Sequence, residues 1–128
     1  MEKVVSYEVA LIIDKIGFNT WCPYGYKLGN IKPFKRKSYY DVKAIYEAPT
    51  LYVLQSWLRD NYDIFVSVKR ISTGSDEWKF SYAIEYLPRD KRDVKRRCPE
   101  FMYSYTSQRW NDWEDALEEG LKEGLKLI

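Results

Sequence analysis

The stretch Asn111-Asp-Trp-Glu-Asp-Ala-Leu-Glu-Glu-Gly-Leu-Lys-Glu-Gly-Leu-Lys-Leu-Ile128 decides the fold. Trp113, Ala116, Leu117, Gly120, Leu121, Gly124, Leu125 and Ile128 recur at the three-and-four spacing of one helical face, while glutamates and lysines take the other. A face that apolar has to be covered by a sheet or another helix. Asn111, followed three residues later by Glu114, reads as a capping-box-like start, and Asp112, Glu114 and Asp115 put negative charge where the helix dipole favours it. Gly120 and Gly124 fall on the inner face. Glycine costs about 1 kcal/mol against alanine inside a helix, so their placement implies close approach to a sheet rather than flexibility.

Working outward, Ser6 is placed to cap a first helix with Glu8 in its opening turn and with Val9, Ile12, Ile13 and Ile16 as its stripe, ending at Gly17. Residues 20 to 28 are aromatic but interrupted by Pro23 and Gly25, which suits an irregular edge strand. Residues 29 to 37 read as a polar connection, and a second strand is expected over 38 to 46. Pro49 and Thr50 then start a helix to about Asp60 with Leu51, Leu54 and Leu58 inward, Val53 and Trp57 beside them, and Asn61 in the left-handed closing position.

Asp63 to Ile71 is β-branched and too short between turn signals to be a helix. After the turn residues 72 to 76, Trp78, Phe80, Tyr82, Ile84 and Tyr86 alternate with Lys79, Ser81, Ala83 and Glu85 as a second strand of a hairpin. Residues 88 to 100 form a charged connection bracketed by Pro88 and Pro99, and Phe101 to Thr106 returns to strand-like alternation. The expected fold is α+β: one domain over residues 1–128, with a mostly antiparallel sheet of about five strands and three helices packed on it, in the order α-β-β-α-β-β-β-α.

Composition narrows the function classes. The chain has 128 residues, 45 % hydrophobic and 31 % charged, as in a soluble globular protein. No apolar run approaches the roughly 20 residues of a membrane-spanning helix, and the N-terminal residues lack the pattern of an export signal, so the expected compartment is the cytoplasm. Cys22 and Cys98 are far apart and read as reduced thiols, although one disulfide is arithmetically possible. Cys98, beside Arg96 and Arg97, is the only candidate for a reactive thiol. Histidine is absent, which removes the commonest general base near neutral pH and the commonest zinc ligand. Carboxylate pairs such as Asp60 with Asp63 sit where turns and helix caps already explain them. No nucleophile–base pair, metal set or cofactor motif stands out, so a non-enzymatic protein is expected.

Charge is uneven although the net charge is only +2. Residues 89 to 97 hold Arg89, Lys91, Arg92, Lys95, Arg96 and Arg97 against two aspartates, a local balance of +4. Upstream, Lys27, Lys32, Lys35, Arg36, Lys37 and Lys43 face only Asp41, a balance of +5. Nucleic-acid binders concentrate cations in this way, and Lys35, Arg36 and Lys37 with the 89–97 run are the candidate phosphate contacts. The plainer reading is that these are solvated loops keeping a tyrosine-rich chain soluble. Twelve tyrosines, five phenylalanines and five tryptophans also admit a partner-binding aromatic surface, with Tyr24, Tyr26, Tyr39 and Tyr40 as its candidates, or simply a core and strand surface rich in amphipathic rings.

The closing order of helix, three strands and helix matches that of a double-stranded-RNA-binding domain. That fold meets phosphates with lysines at the start of its last helix, whereas this chain places Asp112, Glu114 and Asp115 there. The comparison fails on charge. A different likeness spans nearly the whole chain: Glu8-Val-Ala-Leu with Lys15-Ile-Gly-Phe18, Tyr46-Glu-Ala-Pro-Thr50 leading to Leu54-Gln-Ser-Trp-Leu-Arg59, and the Glu114–Ile128 helix. These segments resemble small uncharacterised proteins encoded by bacteriophages and integrated mobile elements of gut anaerobes. The resemblance implies an accessory role and no particular activity. The expected function is an interaction module that binds a protein partner or itself, with nucleic-acid binding through the basic loops as the alternative.

Overall fold

A computed structural model of the chain describes residues 3–18, 20, 22–27, 29–33, 45–72, 74, 78–87 and 101–128, with the side chains of residues 32, 33 and 45 not described. Its elements are α1 (Tyr7–Lys15), β1 (Tyr24–Lys27), β2 (Asn30–Pro33), β3 (Ile45–Glu47), α2 (Leu51–Tyr62), β4 (Ile64–Ser72), β5 (Trp78–Tyr86), β6 (Met102–Tyr105) and α3 (Trp113–Leu125). The class is α+β, as expected. In place of one sheet of about five strands, the described residues form six strands in two antiparallel sheets, ordered β2-β1-β3 and β4-β5-β6. The chain divides into two compact units, residues 1–52 and 53–128.

In the first unit Ser6 caps α1 by accepting from the Val9 N–H at 3.4 Å. The helix ends at Gly17, whose φ is +89°, with the Phe18 N–H donating to Ile13 O and the Gly17 N–H to Asp14 O. Those two bonds make a Schellman closure, in which a left-handed residue lets the chain turn back onto orphan carbonyls. Val9, Ala10 and Ile13 are buried, whereas Ile12 and Ile16 stay half-exposed.

The extra strand comes from the segment read as a connection. Lys27 pairs with Asn30, and Gly29 takes a φ of +80° in the turn between them. Gly29 and Pro33 therefore mark a hairpin whose second strand lies at a sheet edge, where proline is tolerated because one side of the strand makes no ladder bonds. β1 spans only the second half of the predicted 20–28 strand. Of the strand predicted over 38–46, residues 45–46 belong to β3 and the rest lies outside the described residues.

The second unit follows the sequence closely in its strands. Helix α2 buries Leu54 and Leu58 as expected, while Val53 is exposed. Its close is two residues later than predicted: Asp63, not Asn61, takes the left-handed conformation, with φ +54° and its N–H donating to Arg59 O at 3.2 Å. Asn61 stays within the helix and donates its side-chain N–H to Trp57 O. Asp63 O then accepts from the Leu87 N–H at 3.3 Å, so the turn also fastens the end of β5.

At the start of α3 the cap is Asp112, whose carboxylate accepts from the Glu114 N–H at 2.7 Å. Asn111 is not the cap; its side-chain oxygen accepts from Lys79. The carboxylate outcompetes the amide because it brings a full charge to the positive end of the helix. Helix α3 packs on β4 and β5. A Cβ at Gly120 would stand 2.7 Å from Val66 Cγ1 and 2.9 Å from Tyr82 Cβ, and one at Gly124 3.2 Å from Val66 Cγ2. The glycines permit this approach, as their placement in the sequence implied.

Candidate interaction surface

The contact with α3 fixes which side of the β4-β5-β6 sheet is covered. Ile64 and Val66 meet the glycines of α3, so Phe65, Ser67 and Lys69 point to the opposite side. The register carries that side across the sheet: Phe65 pairs with Glu85 and Glu85 with Tyr103, while Ser67 pairs with Ala83 and Ala83 with Tyr105. Phe101, just before β6, meets the Phe65 ring edge-on at 5.7 Å. None of the described helices packs on this side with the extent that α3 has on the other.

The open side is a shallow trough. Ser67, Ser81 and Ala83 form a low middle, Phe65 and Phe101 stand at one end, and Tyr103 and Tyr105 rise along β6. Tyr103 is 58 % exposed and Tyr105 68 %, and their rings lie parallel within 4° at a centroid separation of 6.1 Å. The Lys69 ammonium lies 5.9 Å from the centre of the Tyr105 ring, within range of a cation–π attraction. At the other tyrosine the Tyr103 hydroxyl donates to Glu85 Oε1 at 3.3 Å, and the Glu85 charge is the main reason the Tyr103 hydroxyl titrates above its ordinary range.

The far end of the trough is closed by the chain itself. After Tyr105 the backbone leaves the ladder, and Ser81 Oγ lies 3.1 Å from Gln108 O and 3.3 Å from Thr106 O. Pairing resumes at Phe80 and Trp110, which exchange two bonds of 2.8 Å. Between these bridges the outer strand has four residues where β5 has two, a bulged excursion that tucks Ser81 out of water. This is why Ser81, on the open side of the sheet, is buried.

Of the aromatics singled out in the sequence, Tyr24 and Tyr26 lie in β1 of the first unit. Both are half-buried, and the Tyr26 hydroxyl donates to Val5 O at 2.7 Å. Tyr7 packs on Tyr26 and Tyr46 in the same unit. Tyr39 and Tyr40, the basic residues of 35–37 and those of 89–97 lie outside the described residues, as does Cys98. The sequence reading did not single out Phe65, Phe101, Tyr103 and Tyr105. Their signal was present in the period of two over Phe101, Tyr103 and Tyr105, which puts three rings on one side of a strand.

Cys22 is the one cysteine described, and it is buried. Its N–H donates to Glu47 Oε2 at 3.1 Å and its thiol to Thr20 O at 3.3 Å. Burial first, and then the Glu47 carboxylate, push the thiol up to about 12. A thiol held neutral in this way is a packing group, because the thiolate is the nucleophile. Among the described residues no three of His, Cys, Asp and Glu converge on a metal-sized site, and no helix is long and apolar enough to cross a membrane.

No protein-family model, curated protein or solved structure matches this chain.

Proposed function

We propose that the protein is a non-enzymatic interaction module that binds a protein partner through the open side of the β4-β5-β6 sheet. The observation that carries this reading is the row of rings around a floor of small residues, with Phe65, Tyr103 and Tyr105 exposed and Phe101 half-buried against Phe65. Tyrosine and phenylalanine bury large areas at low conformational cost, and tyrosine keeps a polar tip for water or a partner, so such rings are enriched where proteins meet. The trough also carries both signs of charge, Lys69 and Glu85, and each touches a tyrosine. A mixed rim of this kind suits a polypeptide, which can answer both charges. A phosphate backbone would be repelled by Glu85. The phage-like or mobile-element setting suggested by the resemblance, and a cytoplasmic location, fit a small accessory protein of this type.

Affinity capture from lysate of the encoding organism, with wild type and a Phe65→Glu/Tyr105→Glu variant compared side by side, tests the reading. A partner retained by wild type and lost by the variant is expected. Equal capture by both would sink the proposal.

A second reading rests on the parallel Tyr103 and Tyr105 rings with Lys69 beside them, an arrangement on which bases of a single strand stack. The basic sequence 89–97 lies in the connection between β5 and β6, the strands that carry this side. Fluorescence anisotropy with labelled oligonucleotides at about 50 and 200 mM salt separates the two readings, since phosphate-driven binding weakens steeply over that range. Salt-sensitive binding lost on Tyr103→Ala/Tyr105→Ala would favour the single-strand reading, and absence of binding at low salt would remove it.

A further inference from the structure

The two edges of the β4-β5-β6 sheet differ. At β4 the Gln55 side chain of α2 reaches over and donates to Val66 O at 2.6 Å. At β6 there is no further strand among the described residues, and all four residues are exposed. Proteins discourage pairing at such edges with lysine, proline or a short bulged strand. Phe101 to Ser107 contains no charged residue and no proline, and the bulge comes only after Tyr105.

We infer that β6 pairs antiparallel with β6 of a second copy of this chain about a twofold axis at Ser104, joining two three-stranded sheets into one of six strands. In this register Ser104 faces Ser104 of the second copy, Met102 faces Thr106, and Tyr103 and Tyr105 face each other twice. Small residues meet at the axis and aromatic pairs flank it, a favourable cross-strand combination. Charge favours the same register. Glu85 touches Tyr103 and Lys69 lies over Tyr105, so each tyrosine pair has an anion of one copy behind one ring and a cation of the other behind the second. This is a weak long-range preference and not a contact across the seam. A register moved by one residue would turn the second aromatic row to the other side of the sheet. One centred on Tyr103 would set Tyr103 against itself and place the two Glu85 carboxylates at the same level on either side of the seam, about three strand spacings apart. This inference goes beyond the binding role proposed above: it concerns the edge of β6, leaves Phe65 exposed, and its failure would leave that role standing.

Sedimentation velocity from micromolar to near-millimolar protein is expected to show a monomer–dimer equilibrium, and the amides of Tyr103 and Tyr105, which point away from β5, to exchange more slowly in the dimer while those of α3 do not change. Glu85→Lys and Lys69→Glu should each weaken dimerisation by about two- to threefold, and the double exchange should restore it. In a Cys98→Ser background, Ser104→Cys should give a disulfide-linked dimer on mild oxidation far faster than Met102→Cys, a comparison that holds whatever the charge variants do to folding. A monomer at every concentration, a dimer whose β6 amides are not slowed, or faster linkage at position 102 than at 104 would overturn the inference.

Discussion

Gly120→Ala is the sharpest test of how α3 meets its sheet. Alanine improves helix propensity by about 1 kcal/mol over glycine, so on a free helix face the substitution stabilises. Here the new methyl would stand 2.7 Å from Val66 Cγ1, 2.9 Å from Tyr82 Cβ and 3.0 Å from Tyr82 Cγ. Tyr82 Cβ is fixed to the central strand of its sheet and cannot swing aside as a chain end would, so helix or strand must move. Overpacking of that kind costs about 1–3 kcal/mol, and at this site the upper half of the range applies. The net effect is a loss of about 1–2 kcal/mol.

Gly124→Ala is the internal comparison. Its methyl would meet Val66 Cγ2 at 3.2 Å, Ile64 Cγ2 at 3.3 Å and Leu58 Cδ1 at 3.6 Å, all side-chain methyls that need yield only a little. Propensity and crowding then nearly cancel, to within about 0.5 kcal/mol. Urea unfolding followed by circular dichroism reads both, with the slope checked for constancy so that midpoints translate into stability. The double variant Gly120→Ala/Val66→Ala should lose less than the sum of its parts by more than about 0.5 kcal/mol, because Val66 is one of the atoms crowded. Gly120→Ala as stable as wild type, or less damaging than Gly124→Ala, would refute the packing argument.

Three further outcomes follow from local chemistry. Asp112→Ala should cost about 1 kcal/mol by removing the cap of α3, and Asn111→Ala clearly less; equal losses by urea titration would show that the cap is shared. Glu47 titrates above its ordinary range chiefly because burial penalises its charge, so the folded state holds that proton more tightly than the unfolded chain does. That linkage favours folding at pH below the unfolded carboxyl value and is lost as pH rises through the folded one, so wild type measured against Glu47→Gln should lose stability just above pH 4.5, and a flat difference curve would contradict the shift. In a Cys98→Ser background, the Cys22 thiol, pushed up to about 12, should resist alkylation at pH 8 until the protein unfolds, and fast labelling of the native state would count against its burial.

Much of this architecture was legible in the sequence because its signals are local. Ser6, Gly17 and the apolar stripes mark α1 and α3 by capping and by the period of the helix, and alternation over 78–86 marks β5. Short-range competition was harder to read: Asp112 against Asn111 as a cap, and Asp63 against Asn61 at the close of α2, depend on which side chain also has another bond to make. Asn111 is taken by Lys79, which is far away in sequence, and Asn61 by the Trp57 carbonyl one helical turn back.

By itself the sequence determined the helices, the β4–β5 hairpin, the inward glycines of α3 and the shared side of Phe101, Tyr103 and Tyr105, because propensity, capping and periodicity act over a few residues. Tertiary structure decided that the described strands form two sheets rather than one and which side of the second α3 leaves uncovered. Periodicity says that alternate residues share a side but not which side a helix will cover. That choice was made when Gly120 and Gly124 let α3 settle on Ile64 and Val66, which turned Phe65 and the β6 tyrosines outward.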